Sequence, residues 1–160
     1  MGTDIHSSVE IFNKKTKKWK RKALYYQDYE GAYKEAWMIL DNRDYNLFGK
    51  LAGVRSMEEP FVYPRGLPDD ISDETKELYG DGTGCHTATW YDYCELNLYA
   101  DTDKAYFEYE IYDADKDEWI VDSKQNVVRP YIDKIDMILE AYHMWYPKPG
   151  EVRIIMWFDS

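Results

Sequence analysis

Thr3-Asp-Ile-His-Ser-Ser-Val-Glu-Ile-Phe12 decides the fold of this chain. Ile5, Val9 and Ile11 fall on one side of an extended chain and Asp4, His6, Ser8 and Glu10 on the other, the period of two that marks a strand with one face on a core. The polar side is unusual in chemistry, because two carboxylates and an imidazole stand in a row where a plain surface strand carries Lys, Thr or Ser. Working outward, Asn13 to Lys18 reads as a polar turn and Trp19 to Tyr26 as a returning strand, so the chain begins with a hairpin whose tip is basic. At the other end, Val152 to Phe158 is an apolar run bounded by Pro147, Pro149 and Gly150, which reads as a closing strand. Strands near both ends with helices between them predict an α+β domain over 1–160, built on a mainly antiparallel sheet with the first and last strands near each other.

Between these strands, residues 29–40 carry a weak helical pattern through Ala32, Tyr33, Ala36, Trp37 and Leu40. Asp44 is a candidate N-cap for a helix that places Leu47, Phe48, Leu51 and Ala52 on one face and stops at Gly53. Three prolines and a glycine make Pro60 to Asp70 a loop, and Ser72 caps a short helix that Gly80 terminates. Asp81-Gly-Thr-Gly-Cys-His86 is a second loop. Asp92 to Glu95 has the spacing of a capping box. A second hairpin follows at 106–112 and 119–121. Pro130 then suits the first turn of a helix of about residues 130–145, with an apolar stripe of Ile132, Ile135, Ile138, Leu139 and Tyr142.

Composition limits the partners. The chain of 160 residues has a net charge of −11, and the excess acid lies in one part: residues 1–65 hold 12 basic and 9 acidic side chains, residues 66–160 hold 8 and 22. A surface of that sign repels a nucleic-acid backbone, so direct nucleic-acid binding is not expected. Sixteen Tyr and six Trp supply buried area or flat surfaces for stacking rings. Cys85 and Cys94 have neither disulfide-framework nor zinc-knuckle spacing. No 18-residue apolar run and no signal-peptide pattern is present, which gives the expectation of a cytoplasmic protein without membrane association. Met1-Gly2 opens as a myristoylation signal does, but Ser7 stands one place beyond the Ser/Thr of that motif.

Asp4, His6, Glu10 and His86 are types that bind metals or move protons, although Asp-x-His and Asp81-x4-His86 match no specific metal motif. Each of them also has an ordinary role as a hydrogen-bonded structural residue. Arg43, Arg55 and Arg65 are the only arginines between Arg21 and Arg129, each beside a helix end or in a loop, where guanidinium groups suit bidentate capture of phosphate or carboxylate. Pairing with neighbours such as Asp41, Asp44 or Asp69 is the competing reading for each. Asp113-Ala-Asp-Lys-Asp117 opens like a calcium loop, but Glu118 replaces the glycine and Lys124 the bidentate glutamate, so it reads as a hairpin turn. There is no phosphate-binding glycine loop, nucleophile elbow or zinc-protease helix.

Met1-Gly-Thr-Asp-Ile-His6, Arg43-Asp-Tyr-Asn-Leu-Phe48, Leu51-Ala-Gly-Val-Arg55, Pro64-Arg-Gly-Leu-Pro68 and Val152-Arg-Ile-Ile-Met-Trp-Phe-Asp159 together resemble a group of small proteins of tailed bacteriophages and prophages. Members of that group carry an Asp-x-His-Ser-x-Ser-Trp segment; here four residues separate Asp81 from His86, and Thr87-Ala-Thr89 precedes Trp90. The resemblance implies a viral protein acting in the cytoplasm of an infected bacterium and assigns no catalytic residue.

Joined to the arginines and aromatics, it gives the expectation of a counter-defence protein that binds and sequesters a small phosphorylated nucleotide signal, a cyclic oligonucleotide or a cyclic ADP-ribose type. Arg43, Arg55 and Arg65 would hold phosphates, Asp4, His6 and Glu10 would bind ribose hydroxyls or base edges, Tyr45 or Trp90 would stack, and His86 is a further ligand-binding candidate. An oligomer with sites between subunits fits the aromatic content, and no cofactor is expected. The enzymatic alternative is a phosphodiesterase in which Asp4, His6, Glu10 and His86 hold a divalent metal. A third reading makes residues 66–122 an acidic surface that inhibits a host nuclease.

Overall fold

The computed structural model describes residues 2–36, 40 and 42–160. Its centre is the pairing of the first strand with the last. β1 (Asp4–Asn13) lies antiparallel to β8 (Val152–Asp159), with Asp4 opposite Asp159 and Ile11 opposite Val152. β2 (Lys18–Lys22) adds to the outer edge of β1, while β5 (Cys85–Asp92) adds to the far side of β8, giving the antiparallel order β2-β1-β8-β5. Two two-stranded sheets stand apart: the short β3 (Tyr25–Gln27) with β4 (Tyr33–Glu35), and the longer β6 (Tyr106–Asp113) with β7 (Glu118–Asn126). The α+β class and the adjacency of the terminal strands are therefore as the sequence predicts.

The weak helical pattern of 29–40 is corrected. β4 occupies part of it, joined to β3 by a turn in which Asp28 Oδ1 accepts from the amides of Glu30 and Ala32. That local hydrogen bonding competes with a helix, and Gly31 adopts φ 86° at the turn. Trp37 lies outside the described residues. The returning strand is also shorter than expected, since β2 ends at Lys22 and the chain leaves the sheet through buried Ala23.

The helices follow their caps. α1 (Tyr45–Ala52) begins where Asp44 accepts from the amides of Asn46 and Leu47, and ends at Gly53, whose φ of 69° lets its amide reach the Gly49 carbonyl. α2 (Asp73–Tyr79) is capped by Ser72, and α3 (Tyr93–Ala100) by Asp92. α4 (Arg129–Ala141) has no cap from the residue next to it; Asn126 Oδ1 accepts from the amides of Val128 and Arg129 instead.

The sheet separates two unequal layers. Ile5, Val9, Ile154, Met156, Phe158 and Tyr91 belong to the main core with Phe48 and Leu51 of α1, Leu96 of α3 and Ile132 and Ile135 of α4. Buried hydroxyls pin that layer: Ser7 bonds Tyr131 at 2.7 Å, and Tyr91 donates to the Leu51 carbonyl at 2.5 Å. The opposite face is thinner and polar, covered by α2. There Ile155 and Trp157 are buried beside Glu10 and Arg153, and Tyr79 meets Trp157 edge to face. No helix among the described residues is long and apolar enough to cross a membrane.

Candidate functional site

The polar side of β1 does not form one continuous wall. Alternate side chains on a strand are spaced by ~7 Å, so Asp4 and Glu10 stand ~20 Å apart. They meet different surroundings. Glu10 is fully buried, where Oε1 accepts from Arg153 Nε at 2.9 Å and Oε2 accepts from the Ser72 amide at 2.9 Å and the Thr75 hydroxyl at 2.6 Å. Ser8 bonds the same Thr75 hydroxyl. Glu10 thus ties β1, β8 and the start of α2 together and presents no free oxygen to a ligand. Arg153 completes the knot by donating to Asp70 and lying 4.0 Å over the Trp19 ring. This donation holds the Asp70 carboxyl below the usual carboxylate range.

His6 stacks on Trp157 and shares a hydrogen bond of 2.8 Å with Asp159. Asp4 accepts from Arg43 Nε at 2.6 Å, and that bond keeps its carboxyl low. A Cβ placed on Gly2 would collide with the Arg43 guanidinium, so the bare backbone there admits the arginine. Arg43 therefore pairs with neither Asp44 nor Asp69; Asp41 lies outside the described residues. Among the described residues no group of three or more His, Cys, Asp and Glu side chains is placed to hold a metal ion.

Arg65 stands elsewhere, along β5. It makes two bonds of 2.7 Å to Glu95 and lies 4.9 Å over Trp90, which joins these two predicted residues to each other. Glu95 meets Arg65 rather than closing the capping box of α3. The carboxylate fixes the guanidinium in its charged form.

Arg55 and His86 do come together. They line an open pocket of about 330 Å³ with Thr3, Val54, Pro64, Thr87 and Ser160, where the start of β1, the end of β8, the start of β5 and the turn after α1 meet. A chain of hydrogen bonds sets the pocket wall. Arg55 Nε donates to Thr3 Oγ1 at 2.8 Å, Thr3 Oγ1 bonds Ser160 Oγ at 2.9 Å, and Ser160 Oγ bonds His86 Nε2 at 3.1 Å. Thr87 Oγ1 holds the other ring nitrogen of His86 at 2.8 Å. Tyr45 stands beside the pocket, accepting from the Thr3 amide while the Arg55 guanidinium lies 5.3 Å over its ring.

Arg55 has φ 57°, an uncommon conformation for a side-chain-bearing residue outside turns, and it follows Gly53 at φ 69°. The helix stop that the sequence announces is thus what presents Arg55. Thr3 and Ser160 are the contributors that sequence reasoning missed. Their pattern carries no signal, because small hydroxyls acquire a role only once the two strand ends are side by side. No family model matches the chain, and no curated protein or solved structure shows significant similarity to it.

Proposed function

We propose that the pocket of Arg55, His86, Thr3 and Ser160 binds the phosphorylated end of a small nucleotide, and that the protein sequesters that molecule as a phage counter-defence factor in the infected cell. The observation carrying this reading is the convergence of a guanidinium, an imidazole and two hydroxyls on one open pocket of about 330 Å³. Guanidinium N–H groups donate to phosphate oxygens, and hydroxyls such as that of Ser160, which His86 orients, donate or accept as ribose requires. Tyr45 supplies a ring at the rim. The volume is at the small end for ligand sites, so it suits one phosphoribosyl unit.

Trp90 of β5 with Arg65 of the neighbouring loop, beyond the pocket, and Glu10, in its buried ion pair, take no part in this binding. The test is to incubate the protein with a panel of cyclic oligonucleotides and ADP-ribose-type nucleotides, remove the free compounds, denature the protein and identify what is released by mass. Release of an intact nucleotide, reduced at least ~tenfold in Arg55→Ala, supports sequestration, since a lost charge-assisted bond weakens binding by about that factor. A cleaved product moves the reading to the metal-dependent phosphodiesterase. No depletion of any compound removes the nucleotide.

A further inference from the structure

The two long hairpins of this chain are copies in shape and opposites in charge. In the first, Asn13 Oδ1 accepts from the amides of Lys15 and Thr16, Lys17 adopts φ 61°, and Phe12 faces Trp19 across the strands at 5.2 Å and 58°. In the second, Asp113 Oδ1 accepts from the amides of Asp115 and Lys116, Asp117 adopts φ 52°, and Tyr112 faces Trp119 at 5.5 Å and 58°. Both turns join antiparallel strands in the same register, with Asn13 opposite Lys18 and Asp113 opposite Glu118. The segments read Ile11-Phe-Asn-Lys-Lys-Thr-Lys-Lys-Trp19 and Ile111-Tyr-Asp-Ala-Asp-Lys-Asp-Glu-Trp119. Position for position, Lys15, Lys17 and Lys18 in one stand where Asp115, Asp117 and Glu118 stand in the other.

Lys14 pairs with Glu151, Lys20 with Glu74 and Lys124 with Glu108, and Tyr112 donates to Asp117, but much of the charge at both tips has no ion partner among the described residues. Among the described residues Lys15, Lys17 and Lys18 form no ion pair, and Glu110, Asp115, Glu118 and Asp122 form none either. The acidic hairpin is a separate two-stranded sheet, and Tyr112, Trp119 and Val121 near its end are 48%, 66% and 48% exposed. A two-stranded sheet with exposed aromatics is marginal alone and gains from being covered.

We propose that the acidic β6–β7 hairpin of one molecule docks on the basic β1–β2 tip of a second copy of this chain. Charge complementarity names the occupant: the chain carries the cationic surface that its anionic arm lacks. Exposed Tyr112 and Trp119 supply the apolar part, and the opposed charges set the approach and orientation.

The experiment is sedimentation velocity of the full chain in about 20 mM and about 500 mM NaCl, where charge screening differs several-fold in range. Self-association at low salt, weakened at least ~tenfold at high salt, is expected. Lys15→Glu/Lys18→Glu, which cancels the charge of the basic tip, and Asp115→Lys/Glu118→Lys, which reverses that of the acidic one, are each expected to be monomeric. Mixed in equal amounts, the first variant still offers the acidic hairpin and the second the basic tip, and the two are expected to associate with each other. That rescue also shows that both variants fold. A wild-type chain that stays monomeric at low salt overturns self-docking. So does association that ignores the variants, or a variant mixture that fails to associate.

Discussion

Replacing Arg153 by Met isolates the buried ion pair that anchors α2. Arg153 is 5% exposed and Glu10 is 0% exposed, and the guanidinium lies within 2.9 Å of Glu10 Oε1 through both Nε and Nη2. The substitution keeps most of the packing volume and leaves a carboxylate buried without its cation, for which a loss of about 3–5 kcal/mol is expected. The two surviving bonds, from the Ser72 amide and the Thr75 hydroxyl, keep Glu10 from being wholly unsatisfied and place the value toward the lower end.

Glu10→Met should cost less, about 2–3 kcal/mol, because Arg153 retains Asp70 and the Trp19 ring. The double variant removes both charges. It should lose only about 1–2 kcal/mol, chiefly for the unpartnered Ser72 amide, which implies a coupling of roughly 3 kcal/mol or more between the two sites. Urea unfolding of the four proteins measures these differences directly, provided the m-values agree. A loss below about 1 kcal/mol in Arg153→Met would refute the reasoning, since it would mean that Glu10 reaches water or a substitute donor at little cost.

Asp44→Ala removes the side chain that accepts from Asn46 and Leu47, and a lower urea midpoint equivalent to about 1 kcal/mol is expected. Gly53→Ala forces a side chain into φ 69° with Pro60 Cδ 3.4 Å from the new Cβ, so a loss of about 1–2 kcal/mol should accompany weaker ligand capture at Arg55. Tyr91→Phe leaves the buried Leu51 carbonyl without its donor, and about 1–2 kcal/mol should be lost on thermal or urea unfolding. The Asp70 carboxyl is held low by Arg153, so its contribution to stability is present above the ordinary aspartate pKa and is lost as pH falls through the lower folded value. Carboxyl-carbon NMR should find the Asp70 titration midpoint higher in Arg153→Met than in the wild type; an unchanged midpoint would remove Arg153 as the cause.

Much of this architecture is legible in local sequence because it rests on local chemistry. Asp44, Ser72 and Asp92 each cap the helix that follows, and Gly53 and Gly80 each end one, by bonds within a few residues of themselves. The terminal strands were visible from alternation and an apolar run. The segment 29–40 misled because sparse apolar spacing suits a helix or a hairpin, and Asp28 decides between them by bonding the turn.

The site was legible only in part. Arg55 and His86 stood out by type, but nothing in their spacing showed that they share a pocket while Arg65 pairs with Glu95. Glu10 looked like a partner of His6 because both lie on one strand face. Its actual partner, Arg153, is distant in sequence and appears only when β8 is laid against β1.

That strand pairing also sets the order in which the molecule assembles. The middle of the four-stranded sheet is made by the first and last strands, and the Glu10–Arg153 contact joins residues 143 positions apart. The β1–β2 hairpin forms from near neighbours, but it has no wall to pack on until β8 arrives, and β5 reaches β1 only through β8. Closing so long a loop before most of the core is buried gives a high contact order and slow folding. During synthesis the β1 edge that will receive β8 waits uncovered for nearly the whole chain, and the arrival of the last strand turns a set of separate hairpins and helices into a sheet with two faces.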